Sequence, residues 1–268
     1  MNQRIERVRK AWISPDKTHR FWIHRKTAAI GRQPQAIAFI IKRMQPLILL
    51  LAGSFQPSGN IPHDAANFLG MHHLPQIIQH SAEVAAEAAR LAARFGVDGR
   101  QAETAAWLHD ISAVIPTSQR LESARGLGIA VLPEEAACPM ILHQKLSAVL
   151  AADLFSVTDP AVLSAIACHT TLKPGASPLD MLVFIADKLA WDQPGEPPYL
   201  SQLQAGLAVS LQKAAAAFLM HLWEQRAHLP VWHLDGSCLP GSCRVGINHP
   251  AGGFPMHILV TGFEPFDG

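Results

Sequence analysis

Metal-type side chains recur along this chain about one helix-length at a time. His80 comes first, then the adjacent pair His109-Asp110, then His143, His169 and Asp187. The stretches between them carry apolar residues at helical spacing. A lone histidine in a helical protein is more often structural than functional. An ordered set on separate helices is different, because only a bundle that converges on one interior pocket can bring its members together. Imidazoles and carboxylates suit hard-to-borderline divalent metals, and a carboxylate can bridge two ions. Two bridged ions can activate water at neutral pH and clamp the oxygens of a phosphate. Asp187 lies in Phe184-Ile185-Ala186-Asp187-Lys188. A carboxylate buried in such a stretch needs a cation, since burying it alone is costly.

Composition agrees with helices. Hydrophobic residues make up 49% of the 268, led by Ala and Leu, and Tyr199 is the only tyrosine. A β-sandwich would want more β-branched and aromatic side chains. The expected fold is therefore all-α, a helical bundle with irregular N- and C-terminal extensions. From about Ile61, Ala65, Phe68 and Leu69 share one face. His80 opens a run over Ser81–Phe95 that Gly96 ends. Asp98 caps the next helix, which leads to His109-Asp110. Shorter helices are expected over 118–127 and from Pro133, with His143 near the start of one over 140–155. Asp159-Pro160 starts the helix that leads to His169. Residues 170–178 read as a loop, 179–189 as a helix carrying Asp187, and 200–226 as one long Ala-rich helix.

Charge divides the chain. Residues 1–45 hold eleven of the 22 Lys and Arg residues and two of the 21 Asp and Glu residues. The remainder has 11 basic residues against 19 acidic, a net −8. An acidic body is a poor nucleic-acid binder. The basic head reads as a solvated or disordered extension, or as a non-native start, with Met44 opening a segment like an ordinary protein beginning. Residues 46–228 are the expected catalytic domain and 229–268 an irregular tail. No secretory signal or membrane span precedes the body, which makes cytoplasm the default compartment. Cys138 and Cys168 sit in apolar surroundings and read as reduced core thiols. In the tail, His233, Cys238, Cys243 and His249 match no familiar zinc module and read as linker.

The segments His80-Ser81, LHDI at 108–111, ILH at 141–143, CHTT at 168–171 and FIADK at 184–188 resemble the HD-domain phosphohydrolases. Their order and spacing most resemble the YqeK-like branch, the symmetrical bis(5′-nucleosyl)-tetraphosphatases. The resemblance covers about residues 60–225. It implies two divalent metal ions, iron first, with manganese or cobalt as alternatives. By position, His80, His109, Asp110 and Asp187 would hold one ion. Asp110 would bridge to a second completed by His143 and His169. Asp110 and Lys188 would be catalytic, and Thr170, Thr171 and Lys188 would contact the phosphates of a nucleotide substrate. Diadenosine tetraphosphate would yield two ADP. The resemblance leaves room for a homodimer. Other readings are a phosphohydrolase for another nucleotide and a non-catalytic metal- or nucleotide-binding regulatory module.

Two positions depart from the pattern. Ala113 stands where the family usually has a lysine, and Gln193 where it tends to have an arginine. Both remove positive charge from the expected substrate side; Lys145 and Lys173 are the candidates to compensate. Residues 256–268, MHILVTGFEPFDG, resemble the opening strand and loop of pyroglutamyl peptidase I. Nothing like that peptidase's catalytic residues follows, so no peptidase activity is expected. An in-frame junction or truncated fusion is the reading of this segment.

Overall fold

A computed structural model describes residues 46–191 and 193–225. The expectations for the basic head, the tail with its strand at 257–260, and the tail histidines and cysteines lie outside the described residues. The chain divides into two compact units, Met1–Ser58 and Gly59–Gly268. The described part of the first holds helix α1 (Pro46–Ala52), which buries Ile48, Leu51 and Ala52.

The second unit is helical, with no strand among its described residues. Its helices begin and end where local chemistry directs. Helix α2 (Ile61–Met71) is capped by Asn60, whose side chain accepts from the His63 N–H. Helix α3 (Pro75–Phe95) ends at Gly96, whose φ of 67° is left-handed, a conformation that favours glycine. Asp98 caps helix α4 (Gly99–Leu108) through the Gln101 N–H. A 3-10 turn over Ile111–Val114 follows, then helix α5 (Thr117–Gly126) and helix α6 (Pro133–Ala137). A second 3-10 turn, Pro139–Leu142, leads directly into helix α7 (His143–Phe155). Helix α8 (Pro160–Ala167) is capped by Asp159. Its other carboxylate oxygen accepts from Gln101 Nε2 at 2.7 Å, which ties the starts of α4 and α8 together. Helix α9 (Pro178–Leu189) opens with a reciprocal capping box between Ser177 and Asp180.

Helix α9 is the axis of the unit. Every residue from Leu179 to Lys188 is buried, the signature of a helix apolar all round. It packs against α3, α4 and α8, while α7 packs on α8 and on the 3-10 turn after α4. On α3 the buried positions include Ile77, His80, Ser81, Val84, Ala88 and Leu91. His80 thus occupies a place in an apolar stripe that a core residue would otherwise fill. Both described cysteines, Cys138 and Cys168, are buried and unbridged. Burial pushes the Cys168 thiol up to about 12, with Asp180 adding to it, so it is inert. No described helix is long and apolar enough to cross a membrane.

Two sequence expectations are corrected. The long helix does not open at His80; it begins at Pro75, at whose position the missing N–H costs nothing, and Ile77 extends its buried face. Nor is 200–226 one helix. It is two, α10 (Leu200–Val209) and α11 (Leu211–Gln225), parted at Ser210, which is fully extended at φ −168° and ψ 165°. The Ser210 hydroxyl accepts from the Lys213 N–H at 3.1 Å, capping the second helix. Arg94 on α3 donates to the Leu207 carbonyl at 2.8 Å, satisfying a group in the last turn of the first.

The pair is closed by a glycine. A Cβ on Gly206 would lie 2.7 Å from Ala214 Cα, Ala214 N and the Lys213 carbonyl. All three are backbone atoms that cannot swing aside. Gly206→Ala should therefore force the hairpin apart and lower stability by about 1–3 kcal/mol, as for other overpacked sites. A thermal melt checks this. A melting temperature equal to the wild type's would show that the close approach is not required.

Candidate metal centre

The bundle brings all six sequence-derived ligands together. His80 comes from the second turn of α3, His109-Asp110 from the end of α4, and His143 from the first residue of α7. His169 follows the end of α8, and Asp187 stands in the last turn of α9. Two clusters form. His80, His109 and Asp110 have ligand atoms within 4.8 Å of one another, as do Asp110, His143 and His169. Asp110 belongs to both. Asp187 joins the first, its Oδ1 lying 3.2 Å from His80 Nε2 and 3.6 Å from His109 Nε2.

Three of the four rings are aimed by the same local device. His109 Nδ1 lies 2.6 Å from the Ala106 carbonyl, His143 Nδ1 2.7 Å from that of Met140, and His169 Nδ1 2.8 Å from that of Ile166. Each partner is three residues upstream, at a helix end or in a 3-10 turn where carbonyls lack intrahelical donors. A carbonyl only accepts, so each Nδ1 must carry the proton. Each Nε2 is left with its lone pair facing inward, the tautomer that metal-binding histidines adopt.

Those lone pairs test whether a metal fits. His109 Nε2 is buried and makes no hydrogen bond, yet it sits 3.5 Å from Asp110 Oδ2 and 3.6 Å from Asp187 Oδ1. His143 Nε2 and His169 Nε2 are 3.0 Å apart, and both lie near Asp110 Oδ1, at 3.4 and 3.5 Å. Converging lone pairs and carboxylate oxygens repel unless a cation lies among them. The donor set, imidazole nitrogen with carboxylate oxygen, fits a divalent transition ion.

Electrostatics keeps the donors in their binding forms. Burial pushes His109 down to about 4, with Asp110 opposing it, and pushes His143 down to about 3, again against Asp110. Both rings are therefore neutral at pH 7. Burial alone would raise the Asp110 carboxyl, but in acid, where His109 is protonated, that ring with the neighbouring His169 and His143 outweighs burial and holds the carboxyl well below the usual range. Asp187 is likewise held low against its burial, by Lys188 first and then by His80 and His109.

The other expected residues surround this core. Lys188 is 3% exposed, its ammonium bound to Asp187 Oδ2 and set against the faces of Phe184 and Phe218, 5.3 and 5.8 Å from their centres. The Thr170 hydroxyl is 3.0 Å from His143 Nε2. Thr171 lies one residue further on and is held by Gln144. That glutamine is a contributor the sequence reading missed. Its Oε1 accepts from the N–H groups of Thr170 and Thr171 at 3.1 and 3.3 Å, and its Nε2 donates to Thr171 Oγ1 at 2.9 Å. Buried Gln144 thus ties the start of α7 to the turn bearing His169. Ser112 and Ser147 were also missed. Ser112 donates to the His143 carbonyl at 2.8 Å and accepts from Ser147 at 2.9 Å, fixing the turn after Asp110 to α7. The one signal for Gln144 was a polar residue beside a candidate ligand at the head of an apolar helix.

Residues 77–192 match the HD domain family. An uncharacterised protein from the pepC 5′ region of Lactococcus lactis subsp. cremoris is 47% identical over 119 residues, 44% of this chain and 61% of that protein. The symmetrical bis(5′-nucleosyl)-tetraphosphatase of Bacillus subtilis is 33% identical over 109 residues, 40% of this chain and 58% of that enzyme. The chain thus spans less than two thirds of the length of either. A crystal structure from Clostridium acetobutylicum, described as a predicted HD superfamily hydrolase involved in NAD metabolism, superimposes with a TM-score of 0.56 at 25% identity. The match covers 62% of this chain and 86% of that one.

The neutral buried rings make stability depend on pH. His109 and His143 take up protons near 4 and 3 in the fold but near 6.5 when unfolded. Across that window the unfolded chain binds more protons, so acid favours unfolding. The metal-free protein should hold its full stability above about pH 6.5 and lose it progressively toward pH 4. Melting temperatures in metal-free buffers from pH 7.5 to 4.5 check this. A flat profile would mean that these rings are not buried and neutral.

Proposed function

Since residues 77–192 form an HD domain, we propose that this protein is a metal-dependent phosphohydrolase that cleaves nucleoside polyphosphates. Its leading substrate is diadenosine tetraphosphate, split symmetrically into two ADP. The observation that carries the proposal is Asp110, a carboxylate shared by two clusters of inward-facing donors. That arrangement would suit two divalent ions, the kind of pair used in two-metal phosphate chemistry. The name of the Bacillus subtilis relative supports the substrate.

In this reading His80, His109, Asp110 and Asp187 would hold one divalent ion, and Asp110, His143 and His169 would hold the other. Iron is the first choice, with manganese or cobalt as alternatives. When bound, the ions supply Lewis acidity that activates water and stabilises charge on phosphoryl oxygens. Asp110 offers one carboxylate oxygen to each cluster. The Nδ1–H bonds to backbone carbonyls keep each imidazole aimed without spending its Nε2. Thr170 stands beside His143 at the edge of the second cluster, where its hydroxyl can meet a phosphate. Thr171, held through Gln144, fixes that turn. Lys188 was expected at the phosphates; its buried contact supports a different role, holding Asp187 charged and in position. The working domain lies within residues 46–228.

A second reading, a phosphohydrolase for another nucleotide, rests on Ala113 and Gln193. Each is uncharged where the family it resembles carries a cation, and a charged hydrogen bond of that kind is worth about 1.5–3 kcal/mol. Neither position belongs to the candidate metal centre, so substrate affinity would be the quantity affected.

Chromatography of the products from metal-loaded protein and diadenosine tetraphosphate tests the proposal, with ADP expected as the sole nucleotide. Equal AMP and ATP would overturn symmetrical cleavage, and brisk turnover of a mononucleotide alone would favour the second reading. Asp110→Ala should lose bound metal and nearly all turnover. His143→Ala should fall toward one metal per chain while still folded. Elemental analysis reads both; wild-type protein that stays metal-free after loading with iron, manganese and cobalt would remove the basis of the proposal.

A further inference from the structure

The centre is closed on one side and open on the other. The side chains of His80, His109, His169 and Asp187 are 6, 0, 2 and 4% exposed, against 24% for Asp110 and 14% for His143. A substrate must therefore arrive over Asp110 and His143. Its phosphates bring several negative charges to a carboxylate, so a cation is needed there.

Neither lysine that could make up for Ala113 and Gln193 is free to act. Lys145 is bound to Glu135 at 2.7 Å and to the Ala130 carbonyl at 3.0 Å. Lys173 is paired with the buried Asp180 at 3.2 Å. Lys188 lies on the closed side. Arg120, on α5, is placed differently. Its Nε donates to the Ile115 carbonyl at 3.2 Å and its Nη1 to the Met140 carbonyl at 3.0 Å. The Met140 carbonyl is the same one that pins His143. Arg120, half-buried, is thus fixed between the 3-10 turn that follows Asp110 and the one that precedes His143. Its charge acts on both residues. The two carbonyls occupy Nε and Nη1, and Nη2 makes no hydrogen bond to the described residues. A guanidinium held in this way keeps donors for an anion and loses little freedom on binding one.

We infer that Arg120 is the phosphate-binding cation of this centre, contacting a phosphoryl group of the substrate as it enters over Asp110 and His143. The inference rests on the phosphohydrolase reading but is tested without turnover. Inorganic phosphate is titrated calorimetrically into manganese-loaded wild type, Arg120→Gln and Arg120→Lys, with metal content measured for each. Glutamine keeps much of the side chain's length and can still donate to a carbonyl; lysine keeps the charge. Arg120→Gln should weaken phosphate binding about tenfold or more, the range of a charge-assisted contact. Arg120→Lys should fall between it and wild type, with metal content unchanged in both. With diadenosine tetraphosphate, KM should rise more than kcat falls.

Equal phosphate affinity in wild type and Arg120→Gln would overturn the inference. So would equal weakening in both variants, which would make shape rather than charge the cause. Loss of metal in both variants would make Arg120 a prop for His143 and overturn it as well, as would wild-type protein that binds no phosphate. A wild type that binds phosphate through Arg120 but hydrolyses no nucleotide would instead end the proposed function and leave Arg120's role standing.

Discussion

A carboxylate in an apolar interior must be matched by positive charge or by donors, or the fold does not hold. Asp187 and Asp110 impose that requirement at the heart of this molecule. Asp187 rides on α9, whose every residue from Leu179 to Lys188 is buried, so it cannot reach solvent. Lys188 and His80 meet it directly. Asp110, at the end of α4, faces imidazole lone pairs from three separate elements, so the positive charge it needs would come from a bound cation. The arrangement of α3, α4, α7, α8 and α9 is the one that lets those elements end in the same place. Fold and site are therefore not separable here, because the candidate ligands are part of what the helices pack around.

Much of this was legible in the sequence because caps and ligands are local signals. Asp98, Asp159 and Gly96 mark helix limits through bonds within a few residues, and all three act as the sequence implied. The ordered histidines stand out because polar residues are rare in such apolar helices. What escaped notice depends on distant partners. Gly206 reads as a tolerated glycine in an Ala-rich helix, and only the approach of Ala214 shows it to be the closing point of a hairpin. Gln144 gains its role from a turn 26 residues away. Arg120 sits in a polar stretch with no periodicity, and its significance comes from the Met140 carbonyl, which no spacing rule indicates.

The centre is also polar in the directional sense. Its closed side is lined by His80, His109, Asp187, Lys188 and the rings of Phe184 and Phe218. In that apolar shell charge interactions are strong and water is excluded. Its open side carries Asp110 and His143. Strength of holding and ease of access are thereby assigned to opposite faces of one carboxylate pair, and a change on one face need not disturb the other.

The carbonyl three residues behind each of His109, His143 and His169 has a thermodynamic consequence. Because each ring is already anchored within its own turn, its side-chain torsions are fixed before any ion arrives. Ordering a free side chain on binding costs about 0.5–1.5 kcal/mol, and here three such costs are met during folding. Capture of an ion should then be limited by shedding its hydration shell rather than by searching for ligand rotamers. Metal exchange would be governed by the ion's own water-release rate, so ions with labile water shells should enter much faster than inert ones of equal affinity.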